Sequence, residues 1–218
     1  MNELEMYFSE GKHRRISKWN HYFEIYDRHF SRFRNKEINM LEIGVLHGGS
    51  LQMWKEYFGP RARIFAIDIN PVCRKFEEEN VRIFIGSQSD RAFLQEVKRQ
   101  MPPVDILLDD GGHTMEQQIT SFEELFGHIT PDGVYACEDL HTSYWDEFGG
   151  GYKRSGTFIE YSKDFIDYIN AAHSKTDALK ESDFTRAVHS LHYYDSMLVI
   201  EKRKMEKPYM VKAGKKAL

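Results

Sequence analysis

The feature that most constrains this chain is an alternation. Short apolar runs that end at or near a glycine or an acid are separated by stretches of helical period. The runs are Asn39–Gly44 (NMLEIG), Arg63–Ile69 (RIFAIDI), Val81–Ile85 (VRIFI), Val104–Leu108 (VDILL) and Val134–Cys137 (VYAC). Runs like these read as strands buried on both faces. Between them, Ser50–Phe58 places Leu51, Trp54 and Phe58 on one helical face, and Asp90–Met101 does the same with Phe93, Leu94 and Val97. Thr114–His128 is a further helix, and Pro131-Asp132-Gly133 reads as a turn. Strand and helix at this spacing predict a mostly parallel sheet covered by helices on both faces, an α/β fold.

The flanks read differently. Trp19, Tyr22, Phe23, Tyr26, Phe30 and Phe33 recur at intervals of three and four, which predicts an amphipathic helix from Ser17 to Arg34. Such a helix could close over a ligand pocket, with Lys18, His21 or Tyr22 pointing inward. Residues 1–16, basic around Lys12–Arg15, are expected to be partly disordered. Phe158–Ala172 reads as a helix. Arg186–His192 and Met197–Lys202 are expected to form an antiparallel hairpin at the sheet edge, making seven strands in all. Residues 203–218 read as a frayed, lysine-rich tail. The expected division is an N-terminal helical segment over 1–38, a central domain over 39–202 and the basic tail.

Length allows one domain with a real core, and the 41 % hydrophobic content can fill it. A net charge of −4 gives no electrostatic reason to expect nucleic acid. No apolar run reaches the ~18 residues of a membrane span, and the first residues hold no apolar leader. Cys73 and Cys137 lack metal-ligand spacing and suit free thiols in a reducing compartment. The expectation is a cytoplasmic protein acting on a small molecule. The sequence allows a homo-oligomer without fixing one.

In an open parallel sheet, ligands bind beyond the carboxyl ends of the strands. Those ends here carry Glu42 to Ser50 (EIGVLHGGS), Asp68, Gly86 to Ser89, Asp109-Asp110 and Glu138-Asp139. Glycines between strand and helix let a ligand approach the backbone, and the helix start offers free N–H groups. Asp68 can accept from both ribose hydroxyls, which narrows the ligand to an adenosine carrier while leaving NAD open. Asp110, Glu138 and Asp139 should lie close together and repel one another unless a cation sits between them. Hard oxygens suit Mg²⁺, Mn²⁺ or Ca²⁺. His113, three residues after Asp110, could serve as a general base.

The segments LEIGVLHGGSLQMW, AIDINP, IGSQSD, DILLDDGGH, ITSFEELF, PDGVYACEDLHTSYW and LHYYDSMLVIEK resemble the metal-dependent sugar O-methyltransferases of macrolide biosynthesis, the macrocin and mycinamicin enzymes. They also resemble the cephalosporin-hydroxylase-like methyltransferases. The resemblance covers about residues 17–202. It implies a Rossmann-like class I methyltransferase fold and two cofactors, S-adenosyl-L-methionine (SAM) and Mg²⁺ or Mn²⁺. By the matched motifs, Asp110, Glu138 and Asp139 would bind the metal, and His113 would be the catalytic base. Glu42, Gly44, His47, Gly48, Gly49 and Ser50 would hold the methionine part of SAM, Asp68 the ribose, and Ser87 and Gln88 the adenine, with Asp110 beside the cofactor.

The implied reaction is methylation of a sugar hydroxyl, the metal chelating the acceptor while His113 takes the proton. Further along, His141, Tyr144 and Trp145 could stack on a sugar ring, and the glycine run Gly149–Gly151 could move as a lid. A polyketide or other small-molecule hydroxyl is an alternative acceptor. Two readings from other classes stay open: an NAD-dependent oxidoreductase, which has no use for the acid cluster, and a non-catalytic SAM-binding domain.

Overall fold

A computed structural model describes residues 1–215. Seven strands form one sheet: β1 (Asn39–Ile43), β2 (Arg63–Asp68), β3 (Val81–Ile85), β4 (Val104–Asp109), β5 (Ile129–Cys137), β6 (Val188–Tyr194) and β7 (Met197–Lys202). Their spatial order is β3-β2-β1-β4-β5-β7-β6. The first five run parallel, and β7 enters antiparallel between β5 and β6. This is the doubly wound sheet with an antiparallel C-terminal hairpin that the alternation predicts. The order reverses direction at β1 and β4, and their carboxyl ends open the crevice where such sheets bind ligands.

The helices are α1 (Glu3–Glu10), α2 (Tyr22–Phe30), α3 (Gly49–Phe58), α4 (Arg91–Gln100), α5 (Met115–Leu125), α6 (Phe158–Asn170) and α7 (Asp183–Ala187). Alternate residues of the strands feed two apolar layers. One joins Met40, Ile64 and Ile106 to Trp54 and Phe58 of α3 and to Tyr22, Tyr26 and Phe30 of α2. The other joins Leu41, Phe65 and Leu107 to Leu94 and Val97 of α4, Phe122 of α5 and Phe165 of α6.

The N-terminus departs from expectation. Residues 3–10 form a helix, with a capping box between Asn2 and Glu5, a left-handed Gly11 at its end and Leu4 buried. The segment 11–19 is an ordered strap rather than part of a helix, and α2 begins at Tyr22, not Ser17. Pro131-Asp132-Gly133 lies inside β5. The pairing passes from Val104–Ile129 to Ile106–Val134 there, so these residues form a bulge and not a turn. Of the basic tail, residues 203–215 are exposed and outside any helix or strand, and 216–218 lie outside the described residues. Among the described residues no helix is long and apolar enough to cross a membrane.

Candidate active site

The crevice at the carboxyl ends of β1, β2 and β4 holds a cavity of about 400 Å³. Its walls are the loop after β1, the ends of β2 and β3, the loop after β4, Asp139 and residues 15–18 of the strap. Gly44 has φ +96°, and a Cβ there would fall 2.0 Å from the Asp110 carbonyl oxygen. Only glycine lets the ends of β1 and β4 approach this closely. Gly49 is needed for contact on the other side, since its Cβ would lie 2.4 Å from the carbonyl oxygen of Arg14 in the strap.

Asp68 closes the loop from below. Its Oδ2 accepts from the N–H of Val45 at 2.8 Å and of Leu46 at 3.0 Å, and its Oδ1 accepts from Asn70 at 2.8 Å. Burial alone would raise its pKa, but these N–H groups outweigh burial and hold it below the ordinary aspartate value. Oδ1, with one N–H partner, keeps a lone pair that a ligand hydroxyl can use.

Gly44, His47, Gly49, Ser50, Asp68, Ser87, Gln88 and Asp110, all expected to touch a cofactor, line the cavity; Glu42 and Gly48 do not. Glu42 is fully buried behind the loop, where it accepts from Ser50 Oγ at 2.9 Å and Trp54 Nε1 at 3.1 Å. Burial, partly offset by the charge of Lys18, pushes its pKa to about 7. Gly48 is set by sterics, because a Cβ would meet the Phe76 ring at 2.7 Å. Gln88 is buried and held at both ends of its amide: Oε1 accepts from Gly112 N–H at 2.8 Å, and Nε2 donates to Asp109 Oδ1 at 3.0 Å.

The acids divide into two groups. Asp110, His113 and Asp139 offer ligand atoms that all lie within 4.8 Å of one another. His113 Nε2 is 3.3 Å from Asp139 Oδ2 and 3.9 Å from Asp110 Oδ1. Its Nδ1 is buried and makes no hydrogen bond. Two carboxylates beside an imidazole suit a hard divalent cation.

Glu138 faces another way. It accepts from the Tyr26 hydroxyl and from Lys18 Nζ, which is 2.9 Å from each of its oxygens. The same ammonium bonds Asp110 Oδ2. Burial would lower the Lys18 pKa, but Asp110 and Glu138 reverse this and keep it charged. Burial and Asp110 push Glu138 upward against the pull of Lys18 and Tyr26. Tyr22 supports the second acid, donating to Asp139 Oδ1 at 2.8 Å. Lys18 and Tyr22 thus point into the site, whereas half-buried His21 contacts the Asp195 carbonyl. Tyr26 was legible only as a core aromatic.

His141, Tyr144 and Trp145 stand outside the cavity. His141 Nδ1 lies 2.5 Å from Ser196 Oγ and 4.0 Å from Asp139 Oδ1. Its ring meets Trp145 at 4.6 Å and Trp19 at 5.7 Å, so strap and loop together build an aromatic ledge next to Asp139. Trp145, Trp19 and Tyr144 are all exposed.

A family profile described as a methyltransferase domain matches residues 41–140. Mycinamicin VI 2''-O-methyltransferase of Micromonospora griseorubida is 38 % identical over 188 residues, which are 81 % of this chain and 47 % of that protein. Demethylmacrocin O-methyltransferase of Streptomyces fradiae is 37 % identical over 199 residues, 85 % of this chain and 50 % of that protein. The chain thus spans about half the length of the curated relatives it matches. Among solved structures, the MycE methyltransferase of the mycinamycin biosynthetic pathway, in complex with Mg, SAH and mycinamycin VI, aligns with a TM-score of 0.84. It is 34 % identical and covers 93 % of this chain and 54 % of that one.

Proposed function

From the premise that this chain carries a class I methyltransferase domain resembling the mycinamicin and macrocin sugar O-methyltransferases, we propose that it transfers a methyl group from SAM to a hydroxyl of a sugar on a glycosylated natural product. The observation that carries the reading is the position of His113. Its Nε2 stands between two carboxylates, at 3.3 and 3.9 Å, on the wall of a cavity whose opposite walls are a glycine loop and Asp68.

In this reading the loop Gly44–Ser50 holds the methionine end of SAM, Asp68 the ribose, and Ser87 with Gln88 the adenine. Asp110 and Asp139 hold a Mg²⁺ or Mn²⁺ ion, and Glu138 joins them where Lys18 releases it. Bound there, the ion would acidify an acceptor hydroxyl and fix its position. The two ring nitrogens of His113 are not equivalent. Nδ1 is sealed off from solvent, so Nε2 is the atom that takes the acceptor proton as the oxygen attacks the methyl carbon. The sulfonium loses its charge in that step, so nearby anions must not hold the cofactor too tightly beforehand. Tyr22 fixes Asp139 and leaves Oδ2 toward His113.

The ledge of Trp19, His141 and Trp145 offers the sugar a stacking face beside Asp139, which supports a glycosylated acceptor. Cys73 and Cys137 are both free and buried, in keeping with a reducing cytoplasm.

The test pairs thermal shift with turnover. SAM at 100 times its Kd should add about 2.7 kcal/mol of stability, and NAD should add none. Incubation with SAM, Mg²⁺ and a panel of glycosylated polyketides should yield products heavier by one methylene. Stabilisation by NAD and not by SAM would overturn the reading.

A further inference from the structure

Lys18 brings a positive charge into the acidic site. Its side chain is 2 % exposed although it lies on a strap without regular structure. Its ammonium bonds Asp110 and both oxygens of Glu138, and sits 5.8 Å from the centre of the Tyr26 ring. Asp110 is shared: Oδ2 faces Lys18 while Oδ1 faces His113 and, beyond it, Asp139. The strap has a second anchor where the Arg14 N–H donates to Gln52 Oε1 at 2.9 Å, above the bare Cα of Gly49. Residues 15–18 then form one wall of the cavity.

We propose that Lys18 is a positioning residue that competes with the divalent ion for Asp110 and Glu138, so that docking of the strap and loading of the ion oppose each other. The inference rests on the metal-dependent reading above. The argument is electrostatic. Asp110, Glu138 and Asp139 gather three carboxyl groups at one point, and the Lys18 ammonium already binds two of them from inside the protein. A divalent ion bound to Asp110 would stand within a few ångströms of the ammonium, where like charges repel strongly in a site with little water. Glu138 can serve the ammonium or the ion, and its present bonds all go to Lys18 and Tyr26. Loading the ion therefore weakens the strap's inner anchor, and removing the ammonium frees Glu138 for the ion. Through the same strap, the ion's state reaches the wall of the cofactor cavity.

The test uses the full chain without cofactor and reads Mn²⁺ binding by calorimetry and electron spin resonance. Lys18→Met keeps the apolar stem and drops the charge; it should bind Mn²⁺ at least about tenfold more tightly than wild type. Lys18→Arg keeps the charge and should stay close to wild type. In wild type, trypsin cleavage after Lys12, Arg14 and Arg15 should accelerate as Mn²⁺ saturates the site. That measurement decides the matter even where Lys18→Met fails to fold. Equal or weaker Mn²⁺ binding by Lys18→Met, or strap cleavage that Mn²⁺ leaves unchanged or slows, overturns the competition while leaving the metal-dependent reading standing. A wild-type protein that binds SAM but no Mn²⁺ overturns that reading, and the competition with it.

Discussion

His113 and Asp139 meet with both backbones in the left-handed region, at φ 58° and 56°, and with Nε2 and Oδ2 3.3 Å apart. Such conformations cost of order 1–3 kcal/mol each for residues other than glycine, and they persist where the surroundings over-determine them. Here the surroundings include one hydroxyl. Thr142 Oγ1 lies 2.9 Å from the His113 carbonyl oxygen and 2.8 Å from that of Asp139, so a single buried side chain binds both strained residues.

The pairing separates two roles that His113 could fill, base or metal ligand. If Nε2 is the base, His113→Gln lowers kcat by about a hundredfold or more and leaves the affinities for Mn²⁺ and SAM near wild type. Asp139→Asn should instead abolish Mn²⁺ binding. Steady-state kinetics and calorimetry on both variants check this. A His113→Gln protein that loses Mn²⁺ would make the imidazole a ligand.

Thr142→Val tests the clamp. The substitution keeps the volume and takes the hydroxyl donor from the His113 carbonyl, while the Asp139 carbonyl keeps the backbone N–H of residue 142. It should cost about 1–2 kcal/mol in urea unfolding and lower kcat, with little change in SAM affinity. Full activity at reduced stability would show that the clamp serves the fold alone.

Gly44 offers a purely steric test. Gly44→Ala places a methyl 2.0 Å from the Asp110 carbonyl oxygen at φ +96°. The loop and β4 must move apart, which should cost at least about 2 kcal/mol and weaken SAM by calorimetry. Asp110, carried on the displaced backbone, should lose Mn²⁺ affinity in the same variant.

How much of this was legible in the sequence depends on the kind of signal. Strand ends were readable because a buried parallel strand is an unbroken apolar run, and Ile43-Gly44, Asp68 and Asp109-Asp110 mark where it stops. That placed the rim of the site before any coordinate. The N-terminal helix is harder to read because α1 has only eight residues, so its apolar stripe of Leu4, Tyr7 and Phe8 covers little more than one turn. Its clearer signal is in the caps, Asn2 with Glu5 at the start and Gly11 at the end. Lys18 and Tyr26 could not be assigned to Glu138, since the contacts span 120 and 112 residues and no local pattern encodes them. The matched motif implies a cofactor contact for Glu42. The two-residue alternation of a strand instead turns it toward Ser50 and Trp54.

Glu42 also gives the chain a pH signature. Its pKa rises from an ordinary 4.5 to about 7 because the folded protein buries it. Between those values the unfolded chain has released the proton and the native state retains it. The native state thus binds more protons, and stability must fall as pH rises. The contribution is fully present below 4.5 and is lost by the time pH passes about 7. A shift of that size corresponds to about 3 kcal/mol across the window. Glu42→Gln keeps an acceptor for Trp54 and removes the titration. Urea midpoints from pH 5 to 8 should then decline more steeply for wild type than for the variant. Parallel curves would mean that Lys18, which opposes the shift, already holds Glu42 ionised throughout, so that its charge belongs to the same electrostatic unit as Asp110 and Glu138.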